Sequence, residues 1–448
     1  MSHMASVWDW TKSVEPLSTT RSNAIATLVF DSAEYLVAAA ILSYSLRRAE
    51  TKADLVLLLG ESLYRSTEEG TQKGIELCRR LFDHVVIVEP IEYQVSLKNW
   101  PRFAHLYATW LPRCFTKLHI LRLRPYAKVL FMDADMLAFH NFDHLFELPT
   151  PFGTLITEDK AGIPTGQRIT RAVLVQSLLK AYGISGAFFC ITPDEDLFKI
   201  ACLRVKKKSR KTGVYAEQAV SYDLQTDISL YRQLNAGPDE QVISWLYAHH
   251  LRYDAEGEFY QFVGQRTLGE DEKDEKEGRY PSKRERTREK PRQTPETQWT
   301  SVSRQYNCLP WLMHKFERGD FPLESPNVPY DGEGPERKVY VIHYVSEKPW
   351  QNLTKVLSTT SAEERKIWPD VGTWYSVCEE VREKYPNFSD ILVTIPDDVA
   401  RMTQDEADQM YEKDCQARRE RAERRREERE ETKRTRRGGG NYRRGYKA

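Results

Sequence analysis

Paired cysteines, long apolar runs and net charge are all scarce in this 448-residue sequence. Its 7 cysteines are scattered without CxxC or CxxxH spacing, which argues against a zinc site; their odd number argues against a disulfide framework and fits a reducing compartment. No run approaches the roughly 20 apolar residues that a membrane-spanning helix needs, the longest being 36–42 and 55–59. No integral membrane segment is therefore expected, and a cytoplasmic location is. The opening Met-Ser-His-Met-Ala-Ser reads as a cloning scar, where a native leader or anchor can have been removed.

The missing net charge is a sum, with 66 Lys plus Arg against 66 Asp plus Glu. Residues 432–448 hold Lys433, Arg434, Arg436, Arg437, Arg443, Arg444 and Lys447 with no acid, a charge of +7, so everything before them carries −7. Residues 266–296 are also charge-rich, 19 of 31 positions, acidic first and basic afterwards, without apolar period. Such a segment buries too little to fold and is read as a disordered insertion, bounded at 266–298.

Between these regions β-like apolar runs alternate with stretches of helical period. Strands are expected over 24–30, 54–59, 84–88 and 127–132, with helices over 33–48, 67–81 and 112–123. This alternation implies a parallel, doubly wound α/β sheet, in which ligands bind beyond the carboxyl ends of the strands. The expected organisation is an N-terminal arm with the tag remnant (1–22), a catalytic domain (23–360), a helical extension packed on the body (361–400), and a charged helix with a basic Arg/Gly tail (401–448).

The segment Lys128-Val-Leu-Phe-Met-Asp133-Ala-Asp135 runs a buried strand straight into two carboxylates. Spaced i,i+2, they can be aimed to one side, where they repel unless a cation lies between them. A second apolar strand, Val339 to Val345, carries His343 and is followed by Lys348-Pro349-Trp350. Two carboxylates and an imidazole suit manganese better than magnesium, and Lys348 can offer a point charge to a phosphate. The plainer alternatives are a turn-capping Asp pair and a core histidine.

Taken together and in order, six segments resemble glycosyltransferase family 8: Ala26-Thr-Leu-Val followed by Tyr35, Phe115-Thr-Lys117-Leu-His, Phe131-Met-Asp133-Ala134-Asp135, Tyr182-Gly-Ile-Ser185-Gly186, Asp239-Glu240-Gln241-Val-Ile, and His343-Tyr-Val-Ser-Glu-Lys348-Pro-Trp. The resemblance covers about 24–350. It implies a GT-A fold, a Rossmann-like mixed sheet flanked by helices, and retaining transfer of a hexose from a UDP-sugar, UDP-glucose or UDP-galactose foremost, to a hydroxyl acceptor.

It also implies roles for individual residues. Asp133, Asp135 and His343 would bind Mn2+, with Lys348 on the same diphosphate, Lys117, Ala134, Ser185 and Gly186 around the donor, and Tyr35 against the base. Asp31 either hydrogen-bonds the base or caps the next helix. Gln241 would lie beneath the anomeric carbon, where an amide is a poor nucleophile, so front-face attack is expected; Glu240 stands where relatives carry Asp, and Asp159 would bind sugar hydroxyls. Two positions depart from the pattern: Ile184 replaces an Asn that reaches the donor sugar, and Ser346 replaces a Gly near the phosphate.

The expected partners are a nucleotide-sugar donor, a sugar, polyol or protein acceptor, and a second copy in a homodimer. A different class of function rests on the basic run Arg204 to Lys211 and on the Arg/Gly tail, which would serve a degenerate GT-A fold as a nucleic-acid or partner surface. Retention of all three candidate metal ligands favours the enzyme, and no nucleic-acid partner is expected.

Overall fold

The computed structural model describes residues 4–12, 19–92, 111–157, 162–170, 183–210, 296–318, 339–345, 348–358 and 365–410, with scattered positions in 173–177, 239–247 and 412–424. These divide into two units, one formed by 1–348 with 376–394 and the other by 349–375 with 395–448.

The first unit is built on a nine-stranded sheet. Its strands are β1 (Ser6–Asp9), β2 (Asn23–Val29), β3 (Asp54–Gly60), β4 (His84–Val88), β5 (Lys128–Met132), β7 (Phe152–Ile156), β8 (Arg168–Thr170), β9 (Gly183–Ile191) and β10 (Glu296–Ser301), arranged 1-4-3-2-5-9-7-10-8. The helices are α1 (Glu34–Arg48), α2 (Glu61–Tyr64), α3 (Glu69–Leu81), α4 (Glu195–Arg210) and α5 (Met313–Arg318). Every residue of β3 and β4 is buried, as continuous apolar strands covered on both faces require. Each fully buried Leu or Val of these strands contributes about 1.5–3 kcal/mol.

The sequence-based elements largely hold, with informative departures. The half from β1 to β5 is parallel, but β9 enters antiparallel between β5 and β7, which makes the sheet mixed, as the GT-A expectation has it. The helix expected over 112–123 is a 3-10 helix, Leu111–Arg122. Strand β10 begins three residues inside the span read as insertion, and its Trp299 is fully buried. The N-terminal arm supplies an edge strand: β1 pairs in parallel with β4, and Ala5, part of the apparent scar, donates its N–H to Arg79 O at 2.7 Å.

Helix α1 starts with Glu34 and ends with Arg47 and Arg48, the charge order that its dipole favours. Gly74 of α3 lets that helix approach α1, since an added Cβ would sit 3.1 Å from Leu36. Gly60 ends β3 where a side chain would collide with the Phe30 carbonyl.

A second, two-stranded sheet positions the site. Strand β6 (Met136–Ala138) leaves the end of β5 and pairs antiparallel with β11 (Val341–His343), His343 facing Met136. The apolar run 339–345 is thus a strand, but of this small sheet.

The other unit contains α6 (Pro349–Leu357), β12 (Lys366–Ile367) and β13 (Ala400–Arg401), with 369–375 of α7 (Pro369–Lys384). Within the helical extension expected over 361–400, the helix begins at Pro369, a residue suited to a first helical turn. Tyr375 donates to Pro349 O at 2.8 Å, and the Trp350 and Trp374 rings lie 5.9 Å apart. Where the charged tail was expected to start, Thr403 N–H donates to Glu406 Oε2 at 2.9 Å and Glu406 N–H to Thr403 Oγ1 at 3.3 Å, a capping box opening a helix. The Arg/Gly tail and most of the charged insertion lie outside the described residues. No helix among the described residues is long and apolar enough to cross a membrane, and the six described cysteines are free thiols.

Candidate active site

Asp133 and Asp135 follow β5 directly, at the carboxyl end of the sheet's central strand. Two backbone hydrogen bonds fix them: Asp133 N–H donates to Ala187 O of β9, and Tyr344 N–H, just past β11, donates to Asp135 O, both at 3.0 Å. The main ladder thus holds one carboxylate and the small sheet holds the other beside His343. Asp133, Asp135 and His343 each offer one ligand atom within 4.8 Å of the others. Asp135 Oδ1 is buried without a hydrogen-bond partner, 3.5 Å from His343 Nε2. A solvent-shielded anionic oxygen beside a ring nitrogen is a setting that a cation completes.

Two lysines flank the carboxylates. Lys348 hydrogen-bonds Asp135 Oδ2 and also donates to Tyr344 O at 2.6 Å. Burial pushes the Asp135 carboxyl up, but Lys348 above all outweighs it, with His343 adding to the fall when its ring is protonated, and the group is held well below the carboxylate range. Asp133 goes the other way: burial raises it and Asp135 adds to the rise, with Lys117 opposing. One carboxylate is thus firmly ionised while its neighbour resists ionisation, as two like charges held this close require.

Lys117 comes from the 3-10 helix and lies over the Phe131 ring at 5.1 Å. Its ammonium donates to Asp239 Oδ2 at 2.7 Å and Gly186 O at 2.9 Å, and reaches Asp133 Oδ1 at 3.5 Å. Burial acts to lower its pKa, but Asp133 and Asp239 prevail and keep it cationic. Asp239 lies within one of the matched segments, where its only signal in the sequence is a carboxylate at a helix start. Gly186 is required here, because a Cβ would collide with the Asp239 carboxylate.

Beside Asp239, Glu240 has its Oε2 buried without a partner. Burial and the Asp239 charge push its carboxyl up to about 8, Lys117 opposing and Asp133 adding to the rise. It is therefore mostly protonated near neutral pH.

The remaining expected residues divide. Ala134 is buried between the two aspartates. Tyr35, near the start of α1, is held in its neutral form by burial and then by Asp135 and Asp133, so it belongs to the same neighbourhood. Asp31 pairs with Arg113 at 3.4 Å; α1 has no side-chain cap, so the capping role is not taken up. Ser185 Oγ accepts from Asn307 Nδ2 at 3.0 Å, a contact that sequence reasoning missed. Ile184, in place of the family Asn, is fully buried in the main core cluster, which explains how an apolar side chain fits there. Asp159, Gln241 and Ser346 lie outside the described residues.

No family model matches the chain. An uncharacterized protein, R707, of Acanthamoeba polyphaga mimivirus is 26% identical over 176 residues, 39% of this chain and 56% of that protein. A glycogenin of Neurospora crassa is 29% identical over 130 residues, 28% of this chain and 17% of its own. Galactinol synthase 3 of Arabidopsis thaliana is 25% identical over 129 residues, 29% of this chain and 35% of the synthase. The chain thus spans about half the length of the first of these relatives and less of the other two. Among solved structures, the galactosyltransferase LgtC with donor and acceptor sugar analogues aligns at a TM-score of 0.35 and 12% identity, over 84% of this chain and 98% of its own. By its sequence relationships, this chain is glycosyltransferase family 8-like.

Proposed function

We propose that this chain is a retaining, Mn2+-dependent glycosyltransferase that moves a hexose from a UDP-sugar, UDP-glucose or UDP-galactose foremost, to a hydroxyl acceptor. The observation that carries this reading is the convergence of Asp133, Asp135 and His343 within 4.8 Å beyond the central strand. Its support is the unsatisfied Asp135 Oδ1 together with a lysine on either side.

Two carboxylates and an imidazole match the ligand preferences of Mn2+. A bound divalent cation supplies charge neutralisation on the diphosphate as the glycosidic bond breaks. The chain's own residues do the rest. Asp133, Asp135 and His343 hold the cation, and Lys348 turns from Asp135 to a diphosphate oxygen. Lys117 keeps Asp239 and the Gly186 carbonyl in place beneath the donor sugar. Tyr35 stays neutral and offers its ring to the base.

In the transfer, the bond from the anomeric carbon to the diphosphate oxygen breaks and a bond to the acceptor oxygen forms on the same face. The acceptor's proton passes to the departing diphosphate. Glu240, protonated at neutral pH, adds no negative charge beside the leaving group, and Gln241 and Asp159 are assigned to the sugar.

A transfer screen with Mn2+ over UDP-glucose, UDP-galactose, UDP-N-acetylglucosamine, UDP-xylose and UDP-glucuronate, followed by NMR of the product's anomeric configuration, tests the reading. Turnover of a UDP-hexose with retention is expected; inversion contradicts it.

A further inference from the structure

The ring of His343 is held from behind. Segment 305–308 runs beside β11: Tyr340 N–H donates to Gln305 O at 2.9 Å, Cys308 N–H to Val341 O at 2.9 Å, and His343 N–H to Cys308 O at 2.8 Å. This register sets Asn307 next to His343, with Asn307 Oδ1 3.0 Å from Nδ1 of the ring. The other end of the amide, Nδ2, donates to Ser185 Oγ at 3.0 Å. Asn307, His343 and Ser185 are all buried, so these contacts are shielded from water.

A neutral imidazole carries one ring proton, and the nitrogen without it offers a lone pair. An amide oxygen can only accept, so it selects the form protonated on Nδ1. That leaves the bare nitrogen, Nε2, toward Asp135 Oδ1, the buried oxygen without a partner. The reversed amide would place N–H against Nδ1 and put the ring proton on Nε2, where it blocks a cation. The amide makes this choice without adding negative charge to a recess that already holds Asp133 and Asp135.

We propose that Asn307 is the positioning residue of the cation site: its amide oxygen holds His343 in the Nδ1-protonated tautomer, and its amide nitrogen ties that setting to Ser185 on β9. This rests on the divalent-cation reading of the Asp-Asp-His cluster and extends it to a residue outside the six matched segments. Outer partners of this kind orient the ligand, and losing one lowers metal affinity by roughly 10–100-fold.

The test uses the full chain with ring-15N-labelled histidine. The His343 ring is read by NMR in the metal-free protein above pH 8, and Mn2+ affinity is measured by calorimetry without nucleotide. The unaltered protein is expected to show protonated Nδ1 and bare Nε2. Asn307→Asp keeps an acceptor and should keep both the tautomer and Mn2+ binding within about threefold, whereas Asn307→Leu should lose the tautomer and roughly 10–100-fold in affinity. The proposal is overturned if the unaltered ring carries its proton on Nε2, a result that needs no variant to fold, or if Asn307→Asp is damaged as much as Asn307→Leu. An unaltered chain that shows the expected tautomer yet binds no Mn2+ overturns the cation reading instead.

Discussion

The ammonium of Lys348 hydrogen-bonds one oxygen of Asp135 while the other oxygen of that carboxylate, Oδ1, is buried without a partner. A built-in cation thus holds Asp135 in the ligand-free chain, and on the proposed function it releases that oxygen when a divalent ion and a diphosphate bind. Lys348→Met is accordingly expected to act in opposite directions in two assays. Mn2+ affinity without nucleotide should rise, and UDP affinity with Mn2+ should fall, each by about tenfold, the scale of one charge-assisted hydrogen bond. Calorimetry of both bindings checks the signs; a fall in both would show that Lys348 does not compete for Asp135.

Lys117 and Asp239 form a buried pair at 2.7 Å, with side chains 8% and 6% exposed. Removing one partner strands the other charge, so Lys117→Met should cost about 3–5 kcal/mol of stability. The double variant Lys117→Met with Asp239→Leu should recover much of that loss. Denaturant unfolding of the four proteins of this cycle measures the coupling, and simple additivity would contradict the pairing.

Gly186→Ala places a methyl group against the Asp239 carboxylate and 3.4 Å from Lys117 Nζ. Overpacking of this kind costs about 1–3 kcal/mol. A lowered Tm together with a raised KM for donor is expected, because the displaced Lys117 and Asp239 lie in the site.

Glu240 gives stability a defined pH slope. Its carboxyl is pushed to about 8 in the fold, from an ordinary value of 4.5, by burial first and then by Asp239. The native state therefore keeps a proton that the unfolded chain releases, so this contribution is fully present below about 4.5 and is lost as pH rises toward 8. Urea unfolding of the metal-free protein between pH 5 and pH 8.5 should show a decline on the order of 4 kcal/mol, which Glu240→Gln flattens. An unchanged slope in that variant contradicts the assignment.

The parallel half of the sheet was legible because β2, β3, β4 and β5 are continuous apolar runs separated by helical period, and such runs form only where both faces are covered. The direction of β9 was not legible, since alternation alone does not tell parallel from antiparallel pairing. Asp133, Asp135, His343 and the two lysines were found through motifs whose residue types are themselves the chemistry. Asn307 and Asp239 act through what they touch, so only the fold displays them: one needs the register of 305–308 against β11, the other the approach of a helix start to Lys117. The start of β10 shows the same limit at the edge of a charged stretch: 296–298 carry the composition of the insertion, yet the strand already begins at Glu296.

The central claim is that Asp133, Asp135 and His343 hold a divalent cation on which nucleotide binding depends. Calorimetric titration of UDP into the full chain, with Mn2+ and with EDTA, tests it most directly when Asp135→Ala is measured alongside. The account predicts UDP binding that requires Mn2+ and that falls by roughly 100-fold or more in Asp135→Ala, since even an outer partner is worth roughly 10–100-fold. Equal UDP affinity in EDTA and in Mn2+ would contradict it.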